Sequence, residues 1–302
     1  MNREQKKMKK YVITGSIGHI SKPIVEGLVK AGNEVKVITS SAEKVKSIEA
    51  LGAVAVVGTA QDGAFLKTAF AGADAVYTMI PAIWQTTNWR ASQNEIGNNY
   101  TEAIKAAAIK YVVNLSSVGA HMGNGAGPVD ALGDFEKMLN AVQELQVVHL
   151  RPSFFYYNLL SQIPMIKGMN IMGGNYGGGE EKVVLTHTND IAKVALEKLL
   201  AVDFIGNAVQ YIGSDERTGK EIAEVIGKSI GKTLPWIEFP DDQAKAGMLQ
   251  AGLSETHANG YTDLGKAMRD GAMQADYMKN KPTLSATKLE DFAKEFAAAF
   301  NA

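Results

Sequence analysis

A glycine-containing loop directly follows the first apolar run of the chain. It reads TGSIGHIS over residues 14–21 and leads into a segment with helical periodicity. Glycines between a strand and a helix let backbone N–H groups approach a pyrophosphate at the helix N-terminus, where the helix dipole favours anions. A plain turn with a helix N-cap is the alternative. We predict that a dinucleotide phosphate binds at six residues of this loop: Gly15, Ser16, Ile17, Gly18, His19 and Ile20.

The end of the second apolar run bears on which nicotinamide nucleotide binds. Sites that select NAD place an Asp or Glu about 20 residues beyond the glycine loop, where it holds the ribose 2′-OH. Here the run ends without a carboxylate, in Thr39, Ser40 and Ser41, and Lys44 follows one turn later. These groups favour the 2′-phosphate of NADP(H) over NAD(H), although no arginine accompanies them. A helix N-cap supplied by Ser40 or Ser41 is the alternative role.

Residues after the fifth apolar run are candidates for proton transfer and substrate binding. Ser117, and less strongly Ser116, stands where a hydroxyl can hydrogen-bond a substrate carbonyl; satisfying loop backbone is the alternative. His121 follows, and its imidazole can act as an acid near neutral pH, unless it is a loop histidine without a role. No histidine pair has metal-ligand spacing and the chain contains no cysteine, so we predict no metal site.

Apolar and aromatic residues surround the same predicted cleft. Ile80 and Pro81 end the fourth apolar run, beside the expected cofactor. Trp84 and Trp89 follow, and they either stack on a flat ring or anchor the next helix. The aromatic run at 154–157 and three nearby methionines predict an apolar substrate wall or, alternatively, a second core; the methionines are Met165, Met169 and Met172.

A scaffold of alternating strands and helices must position these residues. Six short, wholly apolar runs alternate with amphipathic segments over residues 10–150, which is typical of βαβ units whose strands are covered on both faces. The sequence therefore predicts an α/β fold with a doubly wound parallel sheet. Within this region we predict a helix at 134–145. After it we predict a glycine-rich loop at 168–179, a strand at 208–212, and helices at 189–200, 219–231, 241–252, 261–271 and 289–300.

Domain organisation follows from the same pattern. We expect a disordered tail at residues 1–8, a dinucleotide-binding domain at 9–153, and a smaller mixed domain for substrate or partner at 154–302, with later segments that can return to the first domain. The second domain is expected to close over the carboxyl ends of the parallel strands, where ligands of such sheets bind.

Composition excludes several classes of protein. The 302 residues are 46% hydrophobic and carry 31 basic against 32 acidic side chains, so neither disorder nor nucleic-acid binding is expected. No apolar run approaches the roughly 18 residues that span a bilayer, so no membrane partner is expected. The absence of cysteine and of a secretory signal predicts a cytoplasmic protein.

The order of these motifs resembles the NmrA-like branch of the atypical short-chain dehydrogenases/reductases. Besides the glycine loop, the resemblance rests on LSSVG at 115–119, FEKML at 135–139, LRPSFF at 150–155 followed by Asn158, and THTNDIA at 186–192. It implies a Rossmann-type cofactor domain with a small substrate domain. The family includes NAD(P)H-dependent quinone and phenylpropanoid reductases, and also redox-sensing regulators that bind nucleotide without turnover.

One departure from the wider superfamily concerns the acid that protonates the substrate. A Tyr-x-x-x-Lys pair is usual there, and the resemblance assigns Lys137 to the lysine, with Gly133 where the tyrosine is expected. Lys137 is then expected to position the nicotinamide ribose and to supply a proton. A solvated lysine on an amphipathic helix is the alternative.

Three functions follow from these observations. The first is an NADPH-dependent reductase of small apolar carbonyls or quinones, which the aromatic and methionine-rich segments favour. The second is a non-catalytic NADP(H)-binding redox sensor that acts through a protein partner, which Gly133 favours. A nucleotide-sugar epimerase is a weaker alternative, because that chemistry normally uses the missing tyrosine.

Overall fold

Strands and helices alternate along the chain in the computed structural model, which describes residues 8–177 and 181–302. The strands are β1 (Lys10–Ile13), β2 (Glu34–Thr39), β3 (Val54–Val57), β4 (Ala75–Met79), β5 (Tyr111–Leu115), β6 (Gln146–Pro152), β7 (Phe154–Phe155), β8 (Met172–Gly174), β9 (Val183–Thr186), β10 (Asn207–Ile212), β11 (Asp215–Arg217) and β12 (Trp236–Glu238). The α-helices are α1 (Ser21–Lys30), α2 (Val45–Glu49), α3 (Gly63–Phe70), α4 (Trp89–Ala106), α5 (Asp130–Asn140), α6 (Ile163–Met169), α7 (Thr188–Ala201), α8 (Gly219–Ser229), α9 (Asp241–Gln250), α10 (Glu255–Arg269), α11 (Ala275–Lys279) and α12 (Leu289–Asn301). Seven of the tail residues, 1–7, lie outside the described residues.

Seven strands form the central sheet, in the order β10-β6-β5-β4-β1-β2-β3, and all of them are parallel. The strand order reverses between β1 and β4, because the chain first moves outward to β3 and then crosses back. Ligands of doubly wound sheets bind at such a switch point, outside the carboxyl ends of the strands. The predicted α/β fold with a doubly wound parallel sheet is therefore confirmed.

Two hydrophobic cores cover the two faces of this sheet. On one face α1 and α7 pack against the strands, with Leu28 and Leu199 fully buried. On the other face α3, α4 and α5 contribute residues such as Phe70, Ile104 and Phe135. Because both faces are covered, the inner strands β1, β4 and β5 are buried at consecutive residues instead of alternate ones, whereas the outer strands β3 and β10 are partly exposed.

A smaller mixed unit is built from the later part of the chain. β9 pairs with β11 in antiparallel and with β7 in parallel orientation, and β8 pairs with β12. Tyr156, Phe292 and Phe296 are fully buried in its core. The chain also returns to the central sheet, because β10 pairs with β6 and α7 packs against α1. The domain boundary at residues 153 and 154 stays a prediction.

Several elements differ from the sequence-based expectation, including the short elements β9, β11, β12, α6 and α11, which we did not predict. α5 begins at Asp130 instead of residue 134, because a short 3₁₀ turn over 127–129 leads directly into it. α10 begins at Glu255 instead of residue 261, because the Ser254 side chain accepts a hydrogen bond from the His257 N–H and caps the helix. The expected loop at 168–179 contains β8, and its residues 178 and 179 lie outside the described residues.

Candidate functional site

The glycine loop folds tightly over the end of β1. Gly15 and Ser16 both have positive φ, +83° and +60°, and a Cβ at Gly15 would lie only 2.8 Å from Cγ of Met79. The Ser16 N–H donates to the Ile38 carbonyl at 3.0 Å, which ties the loop to β2. α1 then begins at Ser21 without a side-chain cap, so no side chain competes with an anion for its first N–H groups.

The smaller unit braces this loop through His19. The loop exposes Gly18 and His19, while Ile17 and Ile20 pack against the core below it. The His19 ring lies against the ring of Tyr157, with centroids 4.1 Å apart.

Tyr157 is itself held by the C-terminal helix. Its hydroxyl donates a 2.6 Å hydrogen bond to Glu295 of α12, which also accepts from Nε2 of His187 at 3.1 Å. Burial, together with the bond to Glu295, raises the pKa of Tyr157 to about 12. A neutral tyrosine therefore supports the glycine loop across the physiological pH range.

The residues at the end of β2 divide into two groups. Thr39 is buried, and its hydroxyl accepts hydrogen bonds from Ser16 Oγ at 3.0 Å and from the Ser41 N–H at 3.2 Å. Thr39 therefore positions the loop. Ser40 and Lys44 are exposed and Ser41 is half-buried, and the Ser41 side chain makes no capping bond to the helical turn that follows it. These three side chains are open to a ligand at the switch point.

A cavity of about 300 Å³ lies at the carboxyl ends of β4, β5 and β6. Its wall is mostly apolar and includes Ile80, Leu132, Phe154 and Met268, and Pro81 follows Ile80 half-buried. Met79, which approaches Gly15, also lines the cavity. The cavity therefore adjoins the glycine loop. Its polar side chains are Ser116, Ser117, Ser153, Asn158 and Gln274.

The aromatic and methionine residues expected near the substrate do not act as one set. Phe154 and Phe155 line the cavity, whereas Tyr156 is buried in the core of the smaller unit together with Met172. Met169 is exposed. Tyr156 and Met172 thus belong to the second core that the sequence allowed as the alternative, whereas a substrate wall at Phe154 and Phe155 stays a prediction.

The cavity wall carries no ionisable side chain among the described residues that line it. Pro128 and Leu132, spaced by four residues around the start of α5, face the cavity. Gly133 faces the preceding turn instead, because a Cβ there would lie 2.3 Å from the carbonyl oxygen of Ala120. Position 133 therefore has no room for a tyrosine.

The three residues predicted to act in catalysis do not come together. Ser117 lines the cavity, and its hydroxyl donates to the Val118 carbonyl at 2.9 Å, which is the backbone role named as its alternative. Lys137 does not line the cavity. Its side chain is exposed, and its Nζ lies 3.8 Å from Oδ1 of Asp134. His121 is exposed in a 3₁₀ turn, also outside the wall. The catalytic roles of Lys137 and His121 stay predictions.

A buried ion pair that the sequence did not lead us to expect lies beside the cavity. Nη2 of Arg151 lies 2.5 Å from Oε2 of Glu136, and the other Glu136 oxygen accepts a 2.5 Å hydrogen bond from Ser116. Arg151 also donates to Tyr211 at 2.9 Å and to Asp276 at 3.2 Å. Burial alone would lower the pKa of Arg151, but the hydrogen bond to Glu136 outweighs this effect and raises the pKa. The available signal was an arginine within β6, a strand whose other residues are mostly apolar.

Two further features concern residues 8–177 and 181–302. No group of three or more His, Cys, Asp or Glu side chains there is arranged to hold a metal ion. No helix in these ranges is both long and apolar enough to cross a bilayer.

The fold and the cleft define a Rossmann-type α/β protein with a cavity at the switch point of its sheet. The sequence profile of the NmrA-like family matches residues 7–292, and the chain belongs to this family.

Relatives cover nearly the whole chain. The NAD(P)H azoreductase of Xenophilus azovorans is 26% identical over 298 residues, which cover 96% of this chain and 99% of the relative. The NADPH-dependent quinone oxidoreductase of Escherichia coli, solved with NADPH, has a TM-score of 0.80 at 20% identity and covers 94% of this chain and 99% of its own. The Citrobacter sp. triphenylmethane reductase, solved with NADP(H), has a TM-score of 0.76 at 17% identity. The match covers 95% of this chain and 99% of the reductase. The two structures show that the fold is shared.

A valine at position 18 tests the glycine loop. The nearest atom to a Cβ at Gly18 is the Gly15 carbonyl oxygen, 3.9 Å away, so Gly18→Val fits within the chain itself and obstructs only a ligand. We expect circular dichroism and thermal unfolding to stay as in the wild type, while NADPH affinity, measured by calorimetry, falls at least roughly a hundredfold. Gly247→Val in α9, where a Cβ meets no neighbour within 4 Å, is the matched control. Normal NADPH binding by a folded Gly18→Val protein would show that the loop is not the site.

Proposed function

We propose that this protein is an NADPH-dependent reductase of quinones and similar conjugated acceptors. The observation that carries the proposal is a mostly apolar cavity that no ionisable side chain of the described residues lines. It adjoins the glycine loop, which leads into the uncapped N-terminus of α1 at the switch point of the sheet. The names of the relatives support a reductase, since they include an NAD(P)H azoreductase and an NADPH-dependent quinone oxidoreductase.

The residues present fit a dinucleotide. Backbone N–H groups around Gly15 and at the start of α1 would hold the pyrophosphate, and the exposed Ser40 and Lys44 would meet the 2′-phosphate. The cofactor supplies a hydride when it is bound. The role of the protein is to hold a flat acceptor in the cavity against Phe154 and Phe155.

The absence of an acid in the wall selects the kind of acceptor. Hydride addition to a quinone gives a stabilised hydroquinone anion, which water protonates readily. Hydride addition to a simple ketone gives a strongly basic alkoxide, which needs a positioned acid. The hydroxyls and amides of Ser117, Asn158 and Gln274 can orient a carbonyl but cannot supply a proton at neutral pH. The cavity therefore suits acceptors that themselves stabilise the anion formed by hydride addition.

A carboxylate at position 40 tests the choice of cofactor. We expect the wild type to bind NADPH more tightly than NADH in calorimetric titrations, because β2 ends without a carboxylate. Ser40→Asp should weaken NADPH binding by roughly tenfold, through repulsion of the 2′-phosphate across an exposed site, and leave NADH less affected. Ser40→Asn, with the same shape and no charge, is the control. Equal affinities of the wild type for the two nucleotides would contradict the assignment.

Turnover separates the proposed reductase from a sensor. Oxidation of NADPH, followed by its absorbance, should be measurable with benzoquinone and naphthoquinone and should be absent or at least about a hundredfold slower with acetophenone and cyclohexanone. Tight NADPH binding without turnover of any quinone, enone or aldehyde would instead support a nucleotide-binding sensor. Efficient, reversible alcohol oxidation would contradict both, because it requires an acid–base group that the cavity wall lacks.

A further inference from the structure

The segment between β4 and α4 exposes a large aromatic side chain. Trp84 is 59% exposed, and it is the one aromatic among the strongly exposed large hydrophobic side chains of the described residues. Its ring stacks on His257, with centroids 5.4 Å apart, and on Tyr261 at 6.2 Å, with interplanar angles of 26° and 18°. The indole is thus ordered by its neighbours and still has much of its surface open.

Hydrogen bonds fix this segment to α10. Nε2 of His257 donates to the Ile83 carbonyl at 3.0 Å, and the Thr256 hydroxyl donates to the Thr87 carbonyl at 3.0 Å. Nδ1 of His257 accepts from the Ser254 hydroxyl at 2.7 Å. A ring that stacks on Trp84 would therefore meet a preorganised surface, at a small cost in conformational entropy.

The stack continues into the wall of the cavity along one face of α10. His257, Tyr261, Leu264 and Met268 are spaced by four, three and four residues, so they share a helical stripe. Leu264 and Met268 line the cavity, and Tyr261 lies one turn, about 5 Å, from Leu264. Ile80, four residues before Trp84, also lines the cavity.

The size of the cavity limits what it can enclose. At about 300 Å³ it is at the lower end of the range for small-molecule sites, which is about 300–1,000 Å³. A reducible group of one or two rings fits within it, and any longer flat molecule must extend through the mouth. Tyr261, which stacks with Trp84, is the next residue of the α10 stripe beyond the cavity-lining Leu264.

We propose that Trp84, Tyr261 and His257 form an outer subsite that stacks the distal aromatic ring of an extended acceptor whose reducible group occupies the cavity. This inference rests on the proposed reductase function. It names the substrate class as flat, neutral molecules with two separated aromatic parts, because the platform and the cavity wall are both uncharged when His257 is neutral.

Two matched ligands test the subsite. One is a naphthoquinone with an ethylamino substituent, and the other is the same naphthoquinone with a phenethylamino substituent, so that they differ only by a distal ring. We expect the wild type to bind the phenethylamino compound roughly fivefold to tenfold more tightly, in equilibrium dialysis and in KM. In Trp84→Ala the ratio of the two affinities should fall to about one, whereas Trp84→Phe should keep most of it.

Two outcomes would overturn the subsite. One is equal affinity of the wild type for the two compounds, and the other is an unchanged ratio in a Trp84→Ala protein whose circular dichroism is that of the wild type. A wild type that reduces neither compound would overturn the proposed function, while dialysis would still measure the ratio and so decide the subsite separately.

Discussion

The carboxyl edge of the sheet depends on the buried ion pair of Glu136 and Arg151. It joins α5 to β6, reaches β5 through Ser116, and reaches β10 and α11 through Tyr211 and Asp276. Burying two charges costs several kcal/mol each unless they are paired and hydrogen-bonded, and here nearly every polar atom of the pair has a partner. Met273 and Gln274, which immediately precede α11, line the cavity. The ion pair therefore holds together the elements whose ends form the site.

The packing of α5 through Glu136 also determines which side chains line the cavity. With α5 fixed by Glu136, Gly133 is pressed against the Ala120 carbonyl, and Pro128 and Leu132 face the cavity. In the reaction that we propose, a wall without an acid would leave the final proton to water, and the substrate would have to tolerate a negative charge after hydride addition. The glycine loop, braced by Tyr157 and Glu295, supplies the other half of the site, and the two halves adjoin at Met79.

Much of the fold followed from local patterns, and much of the site did not. The apolar runs of β1 to β6 and the loop at Gly15 to Ile20 gave the sheet and the expected phosphate site, because burial on both faces and a strand–turn–helix unit leave clear signals. The direction in which the Lys137 side chain points depends on how α5 is rotated about its axis, because each residue turns the helix by about 100°. The spacing of the sequence motif alone does not determine that rotation. The bonds of Thr39 to the loop, the partner of Arg151, and the packing of Trp84 on a helix far along the chain are tertiary contacts without a local signal.

The pH dependence of kcat for one quinone, at saturating NADPH, tests most directly whether the protein works without an acid in the cavity. Because no titratable side chain of residues 8–177 and 181–302 lines the wall, kcat should be flat from about pH 5.5 to about pH 9, the range that spans the ionisation of an ordinary histidine. The profiles of Lys137→Ala and His121→Ala should match that of the wild type. A kcat that follows a single ionisation, and that loses this dependence in either variant, would show that a protein acid completes the reaction and would contradict the account.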